Sequence, residues 1–330
     1  MSLRGRLWEV VLLGGLSLAF CLALGLSLGS TAADWHRIGA ALVGAAAPDD
    51  FLPAIIWHLR FPRVMLAALV GATLSAGGVV FQALLRNPLA DPYILGISGG
   101  AALGAILGLL AGLAPFPGVA ALAFLGSTGT LVLLVCLTMG EAGRRPGALL
   151  LAGVMVNAFC AALIMFLLSL TQDARLHHML FWIMGDLSLA AAEQLPYLAA
   201  GLLPCFLLLL GLARPLNLLL LGDETARYLG LNVALTSRVL LILTSFMVSL
   251  AVCHSGLVGF VGLVVPHLLR LLLGADHRLL LPAALLGGGS FLVLCDLLSR
   301  VLPAQGELPV GVVTALVGAP LFIFLLLRSR

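Results

Sequence analysis

Apolar residues run through this chain in blocks long enough to cross a bilayer. Stretches without Asp, Glu or Arg cover 10–33, 64–85, 92–140, 146–172, 194–213, 239–269, 279–295 and 308–327. A spanning helix needs about 20 predominantly apolar residues. The block 92–140 is too long for one helix and is broken by GLAPFPG (112–118), and 239–269 is broken at HSG (254–256). Six single blocks and two double ones therefore predict ten helices. Runs such as FLLLLGL (206–212) lack the alternation of a membrane β-barrel. Helices also satisfy their own backbone groups inside lipid, so the pattern predicts an all-α integral membrane protein.

Composition supports this reading. Of 330 residues, 62% are hydrophobic and 9% charged, well below the roughly 25% charged of soluble domains. The 17 basic residues are all arginine. Without lysine the chain cannot carry the phosphate-binding string G-x-x-x-x-G-K-[ST], and a net charge of +3 offers little to a nucleic acid. An even number of spans puts both termini on one side. Alternate loops then give that side Arg4, Arg6, Arg86, Arg144, Arg145, Arg214, Arg227, Arg238, Arg270, Arg278, Arg328 and Arg330, and leave Arg37, Arg60, Arg63, Arg175 and Arg300 on the other. The arginine-rich side, and both termini with it, is expected to be cytoplasmic. The first block reads as a retained span rather than a cleaved signal peptide. Six dispersed cysteines predict apolar packing rather than a metal or disulfide framework, and 38 glycines suit close helix packing. Nothing divides the chain, so 1–330 reads as one domain.

Several segments are not explained by spanning alone. In QALLRNPLADPYILGISGGAALG (82–104), Asn87 and Asp91 each precede proline, which predicts a rigid extended turn, either a plain connection or a constriction. In RPLNLLLLGDETARYLGL (214–231), Asp223 as N-cap and Gly230 as C-cap predict a short charged helix, either interfacial or a docking surface. Arg60 and Arg63 in HLRFPR, with Arg300, form a basic rim on the less basic side, either snorkelling or pairing with carboxylates of an external protein. His254, His267 and Asp296 lie near span ends and read as structural capping groups. GISG (96–99) offers Ser98 as a protease nucleophile with His254 or His267 as base, against plain small-residue packing.

Taken together, these strings resemble the permease subunits of type II ATP-binding-cassette (ABC) importers, the family that imports ferric siderophores, haem and vitamin B12. The matching segments are 60–104, LLLAG (149–153), FWIMGDLS (181–188), 213–231, GLVGFVGLVVPHLLRLLLGADHRLLLP (256–282) and ELPVGVVTALVGAPLFIFLL (307–326). The vitamin B12 permeases are similar along this whole length. The resemblance implies ten spans, cytoplasmic termini and a homodimer in the bacterial inner membrane. It implies no cofactor on this chain. ATP and magnesium belong to two separate ATPase subunits, and a periplasmic or lipid-anchored binding protein delivers the cargo. It further implies that Gly222, Asp223, Glu224, Ala226 and Arg227 couple to the ATPase, that Arg60, Arg63 and Arg300 dock the binding protein, and that Asn87, Leu89, Pro146 and Gly147 form cytoplasmic gates. At Pro146 and Gly147 the vitamin B12 permeases carry small hydroxyl residues instead. The alternatives are a secondary transporter without an ATPase and the Ser98 protease.

Overall fold

A computed structural model describes residues 3–29, 37–40, 50–138, 147–171, 173–303 and 306–328. Among them, seven helices are long and apolar enough to cross a membrane, and three shorter apolar helices complete the ten. In chain order the elements are α1 (Leu3–Ser27), α2 (Leu52–Leu84), α3 (Ile97–Leu110), α4 (Ala120–Thr138), α5 (Ala148–Ser169), α6 (Asp173–Ile183) and α7 (Gln194–Gly211). They continue with α8 (Ala213–Leu219), α9 (Asp223–Tyr228), α10 (Val233–Ser255), α11 (Val261–Leu273), α12 (His277–Val301) and α13 (Val310–Arg328). Helices α6, α8 and α9 are the short connectors.

The breaks fall where the sequence is least helical. Gly112, with φ +71°, and Pro115 separate α3 from α4. Gly256 (φ +66°) and Phe260 (φ +68°) separate α10 from α11. Helix α2 starts at residue 52, well before the apolar block that predicted it. Its first turns contain Arg60 and Arg63, which block-hunting excludes as charges. A π-helical stretch, Ile55–Arg60, leads into the α-geometry at Phe61, and Pro62 stands in the first turn of that α segment.

Helix α2 is the central element. Of its apolar window 78% is enclosed by protein, against 11% for α1 and 17% for α5. It packs on α12, α10 and α11. Lipid is as apolar as a leucine side chain, so close van der Waals packing rather than hydrophobic burial must hold these helices together. Glycine makes that approach possible. A Cβ on Gly71 would overlap the Gly288 carbonyl, and one on Gly78 would overlap the Gly262 carbonyl.

Side-chain contacts fix which helix ends lie together. Arg6 donates to the Leu273 carbonyl (3.2 Å) and Arg86 pairs with Asp223, which gathers the start of α1 and the ends of α2, α9 and α11 at one end. Arg60 donates to the carbonyls of Leu26 and Ser27, and Arg300 to those of Gly25 and Leu28, at the other end. Arg6 and Arg86, which loop counting assigned to one side, thus lie at helix ends away from Arg60 and Arg300, which it assigned to the other.

Candidate functional site

At the arginine-rich end the chain between α2 and α3 is held rigidly. Asn87 Oδ1 accepts the Leu89 N–H (2.9 Å) and Asp91 Oδ1 accepts the Tyr93 N–H (2.8 Å), so each residue before a proline closes its own turn. Leu89 is exposed, and Ala90 behind it is fully buried. Tyr93 Oη both donates to the Val258 carbonyl and accepts the Val258 N–H, each at 3.1 Å. The predicted rigid turn is therefore anchored to the irregular segment that splits α10 from α11.

Burial pushes the Asp91 carboxyl up to about 6, partly opposed by the Tyr93 N–H bond. A carboxyl raised on folding contributes stability that is complete below its unfolded value and is lost as pH rises through about 6. Asp91→Asn keeps an acceptor for Tyr93 but cannot ionise. Its melting temperature relative to wild type is expected to be higher at pH 7.5 than at pH 5, and parallel thermal unfolding at the two values checks this.

Helices α8 and α9 lie beside this turn. Gly222 (φ +98°) is the N-cap of α9, so Asp223 is its first helical residue rather than the cap the sequence suggested. Asp223 and Glu224 still face the positive end of the helix dipole. At the other terminus Leu231 N–H bonds to the Ala226 carbonyl and Gly230 N–H to that of Arg227, closing a Schellman motif at the predicted glycine. Ala226 is fully buried, whereas Tyr228 is 91% exposed and Leu221 and Leu229 are exposed beside it. Helix α8 is stapled to the start of α12: Asn217 Nδ2 donates to Asp276 (2.7 Å) and Asn217 Oδ1 accepts the His277 N–H (2.8 Å).

The structure adds a residue that motif reading missed. Arg86, in the left-handed region at φ +47°, ion-pairs with Asp223 and joins the Asn87–Leu89 turn directly to α9. Both side chains are about half exposed. Gly147 (φ +81°) begins α5 on the same end and is exposed, while Pro146 lies outside the described residues.

At the opposite end Arg60, Arg63 and Arg300 do come together, but as a buried cluster rather than an open rim. Their exposures are 5, 7 and 5%. Arg60 and Arg300 spend N–H groups on carbonyls at the C-terminus of α1, which no helical N–H can satisfy. Arg63 Nε lies 2.6 Å from Asp296 Oδ1, and its guanidinium also pairs with Glu307. Asp296, fully buried, holds Arg300 Nε at 3.1 Å from its other oxygen. Asp296 is thus the counter-ion of two arginines rather than a capping group.

Ser98, His254 and His267 can also be placed. Ser98 begins α3, whereas His254 contacts Phe116, just beyond the far end of α3 (ring centroids 5.7 Å). Fourteen helical residues span about 21 Å, so Ser98 and His254 cannot form a catalytic pair. His267 packs edge-on against Phe322 at 5.6 Å.

Comparison with known proteins agrees with this arrangement. Residues 17–328 match the FecCD transport family. The hemin transport system permease protein HmuU of Yersinia pestis is 41% identical over 336 residues, covering 99% of this chain and 98% of that protein. The vitamin B12 import system permease protein BtuC of Salmonella typhi is 41% identical over 288 residues, covering 86% of this chain and 88% of its own. An uncharacterised ABC transporter permease protein of Bacillus subtilis, YvrB, is 39% identical over 100% of this chain and 96% of its own. A solved inward-facing conformation of a metal-chelate type ABC transporter superposes with a TM-score of 0.86 and 31% identity, over 97% of this chain and 99% of that one. PsaBC from Streptococcus pneumoniae, in complex with Fab, shares the fold with a TM-score of 0.58 and 16% identity, over 87% of this chain and 95% of that one.

Proposed function

The chain belongs to the FecCD transport family, the permease subunits of ABC importers, and from that premise we propose that it carries a bulky metal chelate across the bacterial inner membrane as one half of a homodimer. Ferric siderophores, haem and corrinoids are the candidate cargoes; the relatives named for hemin and for vitamin B12 are each 41% identical to it, over 99% and 86% of this chain. The whole chain acts as a single membrane domain, with its arginine-rich end in the cytoplasm.

The observation that carries the mechanism is the physical connection at that end. The α8–α9 pair presents exposed Leu221, Tyr228 and Leu229 with Glu224 and Arg227, a mixed apolar and charged face suited to a groove on an ATPase subunit. Asp223 on the same helix grips Arg86 at the root of the Asn87–Leu89 turn. Movement of α9, driven by two ATPase subunits, therefore pulls on that turn and, through Tyr93, on the break between α10 and α11. Gly147, with Pro146, begins the second gate segment. The permease needs only different affinities for cargo in its two conformations, with no covalent step.

The binding protein docks at the other end. There Arg60, Arg63 and Arg300 are gathered in one cluster with Asp296 and Glu307, and charged groups at such a face steer and orient a complementary charged partner. Helices α1 and α5, the least enclosed of the spans, offer faces to lipid and to the second copy.

The coupling face is testable without touching the core. A Glu224→Arg, Arg227→Glu double variant keeps α9 but inverts its charges. It is expected to reduce co-purification of the ATPase subunit at least tenfold, the loss of about 1.4 kcal/mol. Undiminished co-purification would place the ATPase elsewhere.

A further inference from the structure

Arg60, Arg63 and Arg300 are buried, so a docking protein cannot meet them as open surface charges. They are covered in different ways. Arg300 donates to the Gly25 and Leu28 carbonyls and pairs with Asp296, and Arg60 donates to the carbonyls of Leu26 and Ser27. A Cβ on Gly29 would stand 2.6 Å from Arg60 Nη2, so the chain leaving α1 lies directly against that guanidinium. Backbone at the end of α1 therefore closes over both.

Arg63 is enclosed by side chains instead. Its Nε donates to Asp296 Oδ1 (2.6 Å), its Nη2 to Ser299 Oγ (3.3 Å) and its Nη1 to Glu307 Oε2. Asp296 and Ser299 stand on α12 and are fully buried. Glu307 lies on the connection from α12 to α13, and its side chain is 37% exposed against 8% for that of Arg63. Of the three groups around this guanidinium, Glu307 alone reaches solvent. The backbone beside it is held, because Leu308 N–H donates to the Ser299 carbonyl (3.1 Å) and Gly306, at φ +73°, makes the preceding turn. Rotation of the Glu307 side chain is then enough to uncover Arg63 Nη1.

Removing Glu307 without a replacement would leave a desolvated guanidinium short of one partner, which is costly. Replacing it with another carboxylate restores the same charge-assisted hydrogen bond. An arriving neutral or apolar group restores nothing. The pair therefore opens to one chemistry, a carboxylate held out from a folded surface.

We propose that Glu307 is an internal stand-in for the binding protein: a carboxylate of the docking protein displaces it from Arg63 Nη1 and takes over the pair. Arg63 makes the exchange, while Arg60 and Arg300 hold the end of α1 in place beside it. A protein without a carboxylate at that point leaves Glu307 seated and Arg63 hidden, so the contact also selects against wrong partners. This rests on the binding-protein docking reading above and names the contact within it.

The permease–ATPase complex in lipid nanodiscs is titrated with the chelate-loaded binding protein encoded beside the permease, and affinity is read on a biosensor. Glu307→Gln keeps the size of the side chain without its charge. It is expected to bind that protein about fivefold more tightly, the weight of one partly exposed ion pair. Glu307→Asp draws the carboxylate back from Arg63 and should fall between wild type and glutamine. Arg63→Lys keeps a charge for Asp296 but lacks the fork that Glu307 and the partner share, and should bind more weakly than wild type. Adding Glu307→Gln to Arg63→Lys should change affinity by less than about twofold, the scale of independent sites. Thermal unfolding shows which variants fold, and if glutamine does not, aspartate decides alone. Equal or weaker binding by the folded Glu307 variants, or a gain from Glu307→Gln that persists in Arg63→Lys, would overturn the exchange. Wild-type binding that Arg63→Lys weakens would in that event leave the docking reading standing, whereas no binding of the loaded protein to wild type would remove that reading and the exchange with it.

Discussion

Asp296→Ala is expected to destabilise the folded chain by about 3–5 kcal/mol, the usual cost of removing one partner from a buried ion pair. Asp296 is fully buried and is the charge that holds Arg63 at 2.6 Å and Arg300 at 3.1 Å. Without it two guanidinium groups, both less than a tenth exposed, face each other, and the carboxylate that remains paired with Arg63 among the described residues is that of the part-exposed Glu307. Arg300 also ties α12 to the end of α1, so the damage should spread to the packing of α1. Asp296→Asn keeps the shape and an acceptor oxygen and should fall between wild type and alanine. Denaturant or thermal unfolding in one fixed detergent measures all three. A difference between wild type and alanine within about 0.5 kcal/mol, the scale of ordinary surface substitutions, would mean that the cluster holds nothing together.

The second large effect is on coupling rather than stability. Reversing either end of the Arg86–Asp223 pair is expected to lower transport about 5–150-fold, the range of a 1–3 kcal/mol coupling free energy. The same changes should alter stability by no more than about 1 kcal/mol, because both side chains are half exposed and surface pairs contribute little. Arg86→Asp is tolerable at φ +47°, a region aspartate enters more readily than most residues. The double exchange, Arg86→Asp with Asp223→Arg, should recover much of the lost transport. Uptake and unfolding measured on the same preparations separate the two effects. If the single reversals destabilise the fold as much as they slow uptake, the pair is structural and the turn is moved by other contacts.

How much of this was legible in the sequence depends on the distance between partners. The ten helices were readable because each is encoded in a continuous apolar run, and the two interrupted blocks carry their own glycine and proline breaks. The ends of α9 were nearly readable for the same reason, with the cap displaced from Asp223 to Gly222. The start of α2 was not. Charge excluded Arg60 and Arg63 from any apolar window, and the groups that accommodate them are carbonyls of α1 and a carboxylate 233 positions away. Arg86 and Asp223 are 137 positions apart, and nothing local marks Arg86 as different from the other loop arginines. Gln194 and His254 are likewise 60 apart, which is why His254 read as a capping group at a span end. Local pattern gives elements; pairings between elements depend on the packing of the bundle.

The central claim is that this chain is a passive, two-state channel for a metal chelate, worked from its arginine-rich end by a separate ATPase. The most direct measurement is uptake of radiolabelled chelates, haem, cobalamin and ferric siderophores, into proteoliposomes holding the permease with its ATPase subunit, loaded binding protein outside and ATP inside. Uptake of one of them that stops when ATP is withheld, and stops again when the ATPase subunit is left out, is the predicted result. Uptake by the permease alone, driven by an ion gradient and indifferent to ATP, would contradict it.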